Sequence, residues 1–240
     1  MPGGVFGVDG AGFYGHLVPY GVDLVDPSQF VSLSQFYSQE GLLFNLRGER
    51  FVDESVSDAV STMAVLEQPE ARALLVIDQR VRDWWRDTPL VPGGALGPER
   101  FELASRRGAR CAVANDVDEF ADLPEEWGYD APTIRDALRA ASTAEPPGPR
   151  RRYDDRPLAD PPYYVVDVCP AITFTFGGLV TDADARVLDS RGMPVPGLLA
   201  AGADAGGTFV RDYAGGLANA LVFGLAAAAA TARETRTATA

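Results

Sequence analysis

The sequence has no lysine. All 21 basic residues are arginines, set against 34 acidic ones, and the net charge is −13. Without lysine there is no Schiff-base amine and no P-loop cation, which excludes pyridoxal phosphate enzymes and Walker-type ATPases. So acidic a chain repels phosphate backbones and anionic lipid, so nucleic acid and membrane are poor partners. His16 is the single histidine, and neither CxxC nor HExxH occurs. That argues against zinc sites and histidine-based nucleophilic triads. Cys111 and Cys169 are the only cysteines, too few for a disulfide framework, so a reduced compartment is expected. The longest apolar run, Leu221 to Ala230, is mostly alanine and about half the roughly twenty residues of a membrane span. Met1-Pro2-Gly3-Gly4 offers neither the basic start nor the apolar core of a signal peptide. A cytoplasmic chain is therefore expected.

What is present suits a globular core. The chain has 240 residues, 46% of them hydrophobic, enough for one large domain or two small ones. Phe30, Leu33 and Phe36 or Tyr37 recur at helical spacing, which predicts a helix from Ser28 to Tyr37. Gly41 to Leu46 reads as a strand, Arg47-Gly48-Glu49 as its turn, and Arg50-Phe51-Val52 as the return strand. Asp53, Glu54 or Ser55 caps a helix to about Glu67, before Pro69. The unbroken apolar run Ala73 to Ile77 predicts a buried strand. Pro89 to Pro98 is a loop, and Ser105 to Val113 is ambiguous. Two short helices are expected at Val117 to Trp127 and at Ala131 to Ser142, the second with Pro132 in its first turn. The triplet Arg150-Arg151-Arg152 reads as a solvated turn rather than a binding patch.

Chemistry concentrates in the last third. Strands are expected at Tyr163 to Cys169 and Ile172 to Phe176, then a tight turn at Gly177-Gly178. A small β-meander follows and ends in a buried apolar strand, Leu198-Leu199-Ala200-Ala201. That strand runs into Gly202-Ala203-Asp204-Ala205-Gly206-Gly207, then Arg211-Asp212-Tyr213-Ala214-Gly215-Gly216, and then a helix from Leu217 to about Arg233. Glycines let a ligand approach the backbone, and a helix start offers unpaired N–H groups and a positive dipole end. Two readings stand side by side: a cofactor cradle, and a plain tight strand-to-helix connection.

The stretch Gly177-Gly178, Pro196 to Gly202, Gly206-Gly207, Tyr213 to Gly216 and Phe223-Gly224 resembles the C-terminal part of fumarate reductase/succinate dehydrogenase-type flavoproteins. That group includes soluble fumarate reductases, 3-ketosteroid dehydrogenases and tricarballylate dehydrogenase. Upstream, Gly48-Glu49-Arg50-Phe51-Val52-Asp53-Glu54 is similar to the hairpin of the family's capping domain. The resemblance implies an α/β fold, the C-terminal part of an FAD/NAD(P)-binding Rossmann-like domain carrying an inserted α+β cap. It divides the chain into a residual flavin-domain segment at 1–25, a cap at 26–164 and a flavin-side segment at 165–240. The implied cofactor is FAD, and the implied activity is dehydrogenation or reduction of a CH–CH bond next to a carbonyl or carboxylate.

The family's strand–GxGxxG–helix unit, which binds the ADP part of FAD, has no counterpart here. The chain is thus expected to be a truncated form or one half of a split enzyme. It would need an N-terminal FAD-binding half or self-association, or else be a non-catalytic binding module. The resemblance places Gly202, Asp204, Gly206, Gly207, Gly215, Gly216, Leu217 and Ala218 at the cofactor, with Gly215 to Ala218 presenting backbone amides to the flavin pyrimidine. Where the family has Glu for the ribityl chain, this sequence has Ala203, followed by Asp204. It also lacks the fumarate reductases' arginine after the hairpin, reading Glu54-Ser55-Val56-Ser57-Asp58, and has Thr173-Phe174-Thr175 in place of their histidine. The catalytic candidates are Tyr213, to orient a carbonyl or move a proton, with Arg211 and His16 on the substrate side. Against these stand plain packing for Tyr213 and an incidental hydrogen-bonded ring for His16.

Overall fold

The computed structural model describes residues 12–142, 147–209 and 213–238. The chain forms two compact units, one of Met1–Tyr14 with Ile172–Ala240 and one of Gly15–Ala171.

The Gly15–Ala171 unit is built on an antiparallel sheet. β1 (Phe13–Pro19), β2 (Leu42–Phe44), β3 (Ala73–Asp78) and β5 (Tyr163–Thr175) stand in the order β1-β5-β3-β2, and β4 (Cys111–Ala114) also pairs with β5. Leu75 faces Leu43 on one side and Val166 on the other. Side chains alternate across a strand, so β3 feeds two cores at once. Leu75 and Ile77 join Leu17, Tyr37, Leu43, Val65 and Val166. Leu74 and Val76 join Phe44, Phe120, Trp127, Ile134 and Leu138. Covering both faces explains the unbroken apolar run that the sequence shows there. Helices α1 (Gln29–Leu33), α2 (Asp58–Leu66), α3 (Gln79–Asp87), α4 (Arg100–Arg106) and α5 (Ala131–Ala141) complete this unit.

Several boundaries differ from the sequence reading. The helix expected over 28–37 stops at Leu33, because Gln35 N–H donates to the Leu17 carbonyl instead of to its own helix. A separate 3-10 turn, Phe36–Gln39, follows. Arg50-Phe51-Val52 is not a return strand. Only a single bridge joins Phe44 and Arg50, because the buried Arg50 guanidinium turns to the Glu54 carboxylate. α2 begins at Asp58, capped by Ser57, whose side chain accepts from Val60 N. Asp53 is used elsewhere, accepting from Ser55 and from Arg152. The helix expected at Val117 to Trp127 is two 3-10 turns, Asp118–Asp122 and Glu125–Trp127, parted at Pro124. Arg151 is buried rather than solvated and donates to the Gln39 carbonyl. The two strands expected at 163–176 are one continuous β5.

The second unit carries β6 (Arg186–Leu188) and β7 (Pro194–Leu199), a hairpin, and the long helix α6 (Gly216–Ala238). The hairpin turn is closed by Asp189, whose carboxylate accepts from the Arg191 and Met193 amides. β7 is not the buried strand expected at Leu198 to Ala201: Leu198 is 43% exposed. Leu217, Leu221 and Leu225 form an exposed apolar stripe on α6, at 87%, 63% and 63%. The apolar window also reaches beyond Leu221–Ala230. Gly216–Thr235 is long and apolar enough to cross a membrane by length and composition, with 11% of its window buried.

One polar hub sits inside the first unit. Asp167 on β5 is fully buried and accepts from Arg72, Arg110 and the Tyr129 hydroxyl. Burial raises its carboxyl above the ordinary range, and these donors pull it back in part. Asp167→Ala leaves the Arg72 guanidinium, itself buried, without its buried carboxylate. The expected loss of unfolding free energy is about 3–5 kcal/mol, against less than about 1 kcal/mol for Asp136→Ala at an exposed ion pair. Urea denaturation of the two variants would settle it, and equal losses would count against the hub.

Candidate functional site

The predicted cofactor residues fall into two groups. The first surrounds the start of α6. Gly202–Asp204 is a 3-10 turn packed on this helix: a Cβ on Gly202, whose φ is +66°, would stand 3.4 Å from Ala220 Cβ. Gly215 has φ +84°, and a Cβ there would meet only Ala218 Cβ at 3.8 Å. Among the described residues the backbone at Gly215 is thus open, while that at Gly216 is covered by the Tyr213 and Phe174 rings. Asn219 N–H donates to the Gly215 carbonyl, so the amides of Gly216, Leu217 and Ala218 lie ahead of the helical ladder. With 23 residues behind it, this end carries the positive pole of the helix dipole. Asn219 Oδ1, in the same first turn, is buried and accepts no hydrogen bond among the described residues. Asp204 is exposed.

The second group answers to backbone packing. A Cβ on Gly178 would fall 2.7 Å from the Asp204 carbonyl oxygen and 2.8 Å from Gly206 N, and Gly206 is crowded in turn by Gly177 and Gly178. Gly206 N–H donates to the Leu179 carbonyl, Leu179 N–H to that of Asp204, and Gly207 N–H to that of Phe176. Two backbone segments here touch without room for side chains. Gly206 therefore has a structural reason of its own.

Tyr213 lies in an aromatic cluster. Its ring stacks on Tyr14 at 3.9 Å and 18°, with Phe209 at 5.6 Å and Phe174 at 5.9 Å. It also abuts the helix mouth, since a Cβ on Gly216 would lie 2.9 Å from Tyr213 Cε2 and 3.3 Å from its hydroxyl oxygen. Tyr213, Gly202, Gly215, Gly216, Leu217 and Ala218 are thus brought together. Arg211 lies outside the described residues.

His16 belongs to the other unit. It is buried, and its Nδ1 is hydrogen-bonded to Asp58 Oδ2 at the first residue of α2. Phe36 presents an edge-on ring at 4.7 Å and Phe30 a tilted one at 5.7 Å. Sequence reading missed Asp58; the only signal was its place in the first turn after a Ser cap. Two open clefts of about 550 and 560 Å³ occur in the same unit, one beside Arg80, Trp84 and Arg156 and one beside Arg50, Thr133 and Gly148. The thiols are poor nucleophile candidates. Burial pushes Cys111 up to about 12 and Cys169 up to about 11.

The family described as FAD binding domain matches over residues 13–217, and the chain belongs to it. It is similar to a urocanate reductase of Eggerthella lenta, 28% identical over 173 residues, which cover 69% of this chain and 26% of that protein. A shorter likeness joins it to a 4-oxocyclohex-2-ene-1-carboxylate 5-dehydrogenase of Sinomonas cyclohexanicum, 40% identical over 80 residues, 32% of this chain and 14% of that protein. In fold it is similar to the solved 3-ketosteroid delta1-dehydrogenase of Sterolibacterium denitrificans, with a TM-score of 0.66 and 24% identity over 92% of this chain and 43% of that one. The matched stretches cover between a seventh and under half of the length of these relatives.

The cofactor of this family is FAD. The residues at the start of α6 are compatible with its flavin end: amides ahead of the helical ladder for a ring carbonyl, and a Gly215 backbone that meets only Ala218 among the described residues.

The two helix glycines separate site from scaffold. Gly216→Ala would drive a Cβ into the Tyr213 and Phe174 rings, at a cost of about 1–3 kcal/mol, and should weaken flavin binding. A Cβ on Gly224 meets nothing within 4 Å, so Gly224→Ala should stabilise the helix by up to about 1 kcal/mol. Thermal melts with flavin fluorescence titration check both. Equal behaviour of the pair would remove Gly216 from the site.

Proposed function

We propose that the chain is part of an FAD-dependent oxidoreductase that adds or removes hydrogen across a CH–CH bond next to a carbonyl or carboxylate. The observation that carries this reading is the start of α6, where amides ahead of the helical ladder and the open Gly215 backbone lie beside Gly216, which packs against Tyr213. The relatives' names support it: a reductase of urocanate and dehydrogenases of a cyclic oxo-acid and of ketosteroids. When bound, FAD accepts or gives a hydride. This chain's amides at Gly216 to Ala218 would stabilise negative charge on the pyrimidine ring, as donors in an oxyanion hole do. Tyr213 would orient the substrate carbonyl or hold a proton at its hydroxyl; Arg211 and His16 are the other candidates the sequence offers for substrate contact.

In this reading the Gly15–Ala171 unit is the α+β capping domain, and the other unit is the flavin-side part of a Rossmann-like domain. An N-terminal FAD-binding half or a second copy of the chain is the proposed source of the pyrophosphate and adenosine contacts. The exposed apolar stripe of Leu217, Leu221 and Leu225 is the face proposed to meet it. The substrate is a small molecule, and the working compartment is the cytoplasm.

Titration of the purified chain with FAD and with riboflavin, followed by flavin fluorescence, tests the cofactor half of the reading. Only the flavin end is recognised, so the two affinities should agree within about tenfold, or 1.4 kcal/mol. A stoichiometric complex with FAD but not riboflavin would instead assign a phosphate site to this chain.

Tyr213→Phe in the flavin-loaded enzyme tests the chemical half. The substitution keeps the stacked ring and removes the hydroxyl. Turnover should fall by roughly 10²–10⁴-fold, the range for acid–base groups, with flavin content unchanged. Equal turnover would assign Tyr213 to packing, and loss of flavin would assign it to cofactor binding.

A further inference from the structure

Arg100, at the entry to α4, is a buried cation without a counter-ion. It is 7% exposed, and its Nε is buried with no hydrogen-bond partner. Among the described residues its guanidinium forms no ion pair. What it touches is aromatic: it lies 4.9 Å over the Phe36 ring and 6.0 Å over that of Trp85. Such rings attract a cation, but by less than it costs to take an unpaired charge out of water. Burial lowers the pKa of the group, yet an arginine keeps its charge at neutral pH. The other buried arginines of this unit have oxygen partners: Arg50 has Glu54, Arg72 has Asp167, and Arg151 has the Gln39 carbonyl.

Arg100 lines a small recess that Arg82 and Arg86 border from α3, where they stand one turn apart. Tyr37, Trp85 and Glu99 line it too, and all of these side chains are engaged. Glu99 accepts from Arg82 and from the Phe101 and Glu102 amides. Arg86 pairs with Asp83 and Asp87. The Tyr37 hydroxyl donates to Gln35 Oε1, and Trp85 Nε1–H donates to Glu40. With Arg82 matched by Glu99 and Arg86 by its two aspartates, the positive charge left over is that of Arg100. The recess has a volume of about 10 Å³, room for about one water-sized particle. Water would fill that space and leave the charge. A small anion does both, and phosphates and nucleotides are too large.

We propose that this recess binds a small monovalent anion, a halide or one oxygen of a formate-sized carboxylate, on the Arg100 guanidinium with Arg82 and Arg86 alongside. All of its residues belong to the Gly15–Ala171 unit, so the site does not rest on the flavin reading. The bound ion links α3 to the entry of α4, the two elements that flank the Pro89–Pro98 loop. The stability of this unit then follows the concentration of the anion.

Chloride NMR on the full chain reads the site, because an ion that exchanges on and off a protein broadens the chloride resonance. The wild type should broaden it saturably, and formate should displace the ion. Arg100→Met keeps an unbranched stem and removes the charge, and the excess broadening should vanish. Arg106→Met, at an exposed ion pair, should leave it unchanged. Raising chloride from its Kd to a hundred times Kd should lower the wild-type unfolding constant roughly fifty-fold relative to Arg100→Met in the same salts. Wild-type broadening no greater than that of Arg100→Met would overturn the site and leave Arg100 to its aromatic neighbours. An equal loss in Arg106→Met would also overturn it, reducing the effect to diffuse surface attraction. If Arg100→Met does not fold, wild-type crystals grown in bromide decide. An anomalous peak against the Arg100 guanidinium supports the site, and peaks only elsewhere overturn it.

Discussion

The Asp167 carboxylate, buried in the middle of β5, sets the arrangement of the larger unit. A buried anion is tolerated only when donors surround it, and each donor here belongs to a different part of the chain. Arg72 stands at the entrance to β3, Arg110 at the entrance to β4, and Tyr129 just ahead of α5. The main chain is tied at the same residue: its carbonyl accepts from Tyr20 N–H and its amide donates to the Arg110 carbonyl. Tyr20 then lies under both guanidinium groups, at 4.6 and 5.3 Å, where its ring face attracts them. The hydrophobic clusters on either face of the sheet supply the driving force but are not directional. The hub is what makes one strand register better than its neighbours.

A second buried pair plays a similar part at the edge of the same unit. Arg50 and Glu54 are both fully buried and bonded at two points. Glu54 also accepts from the Leu43 amide, and Arg50 donates to the Pro147 carbonyl. The segment after β2 is held by side chains rather than by a sheet ladder, so it looks like a hairpin in sequence but is not one in structure.

That contrast marks what the sequence could tell. Elements whose cause is local were legible: α5 has its Asp130 cap and Pro132, β3 its apolar run, and α6 its glycine start and alanine-rich body. Elements whose cause is distant were not. α1 ends because of a carbonyl on β1, and Arg151 looks solvated in a triplet but is drawn inward by Gln39. α3 went unread because Pro89 to Pro98 and charged residues mask its signals, the Asp78 cap and Val81 packing. At the site, the two glycine pairs have different surroundings. Gly215 meets only Ala218 and Gly216 packs against Tyr213 and Phe174, while Gly206 answers to the backbone of Gly178. Two identical dipeptides differ only in what faces them, which no spacing rule carries.

In the proposed reading, the binding site at the start of α6 resides largely in the backbone. A side chain that binds a ligand must first lose its rotamer freedom. Amides at a helix terminus are already fixed by the turns behind them, so their dipoles need no reorganisation when charge develops nearby. That advantage lasts only while the helix stays in place. Gly202 against Ala220 pins one side, and Arg233 bonded to Asp184 pins the far end. Between them Leu217, Leu221 and Leu225 face outward. A helix gains most of its stability from packing its apolar face, so whatever covers this stripe also sets how rigidly the amides at its head are held. In the proposed reading, cofactor affinity and partner binding are coupled through the position of this helix rather than through any shared residue.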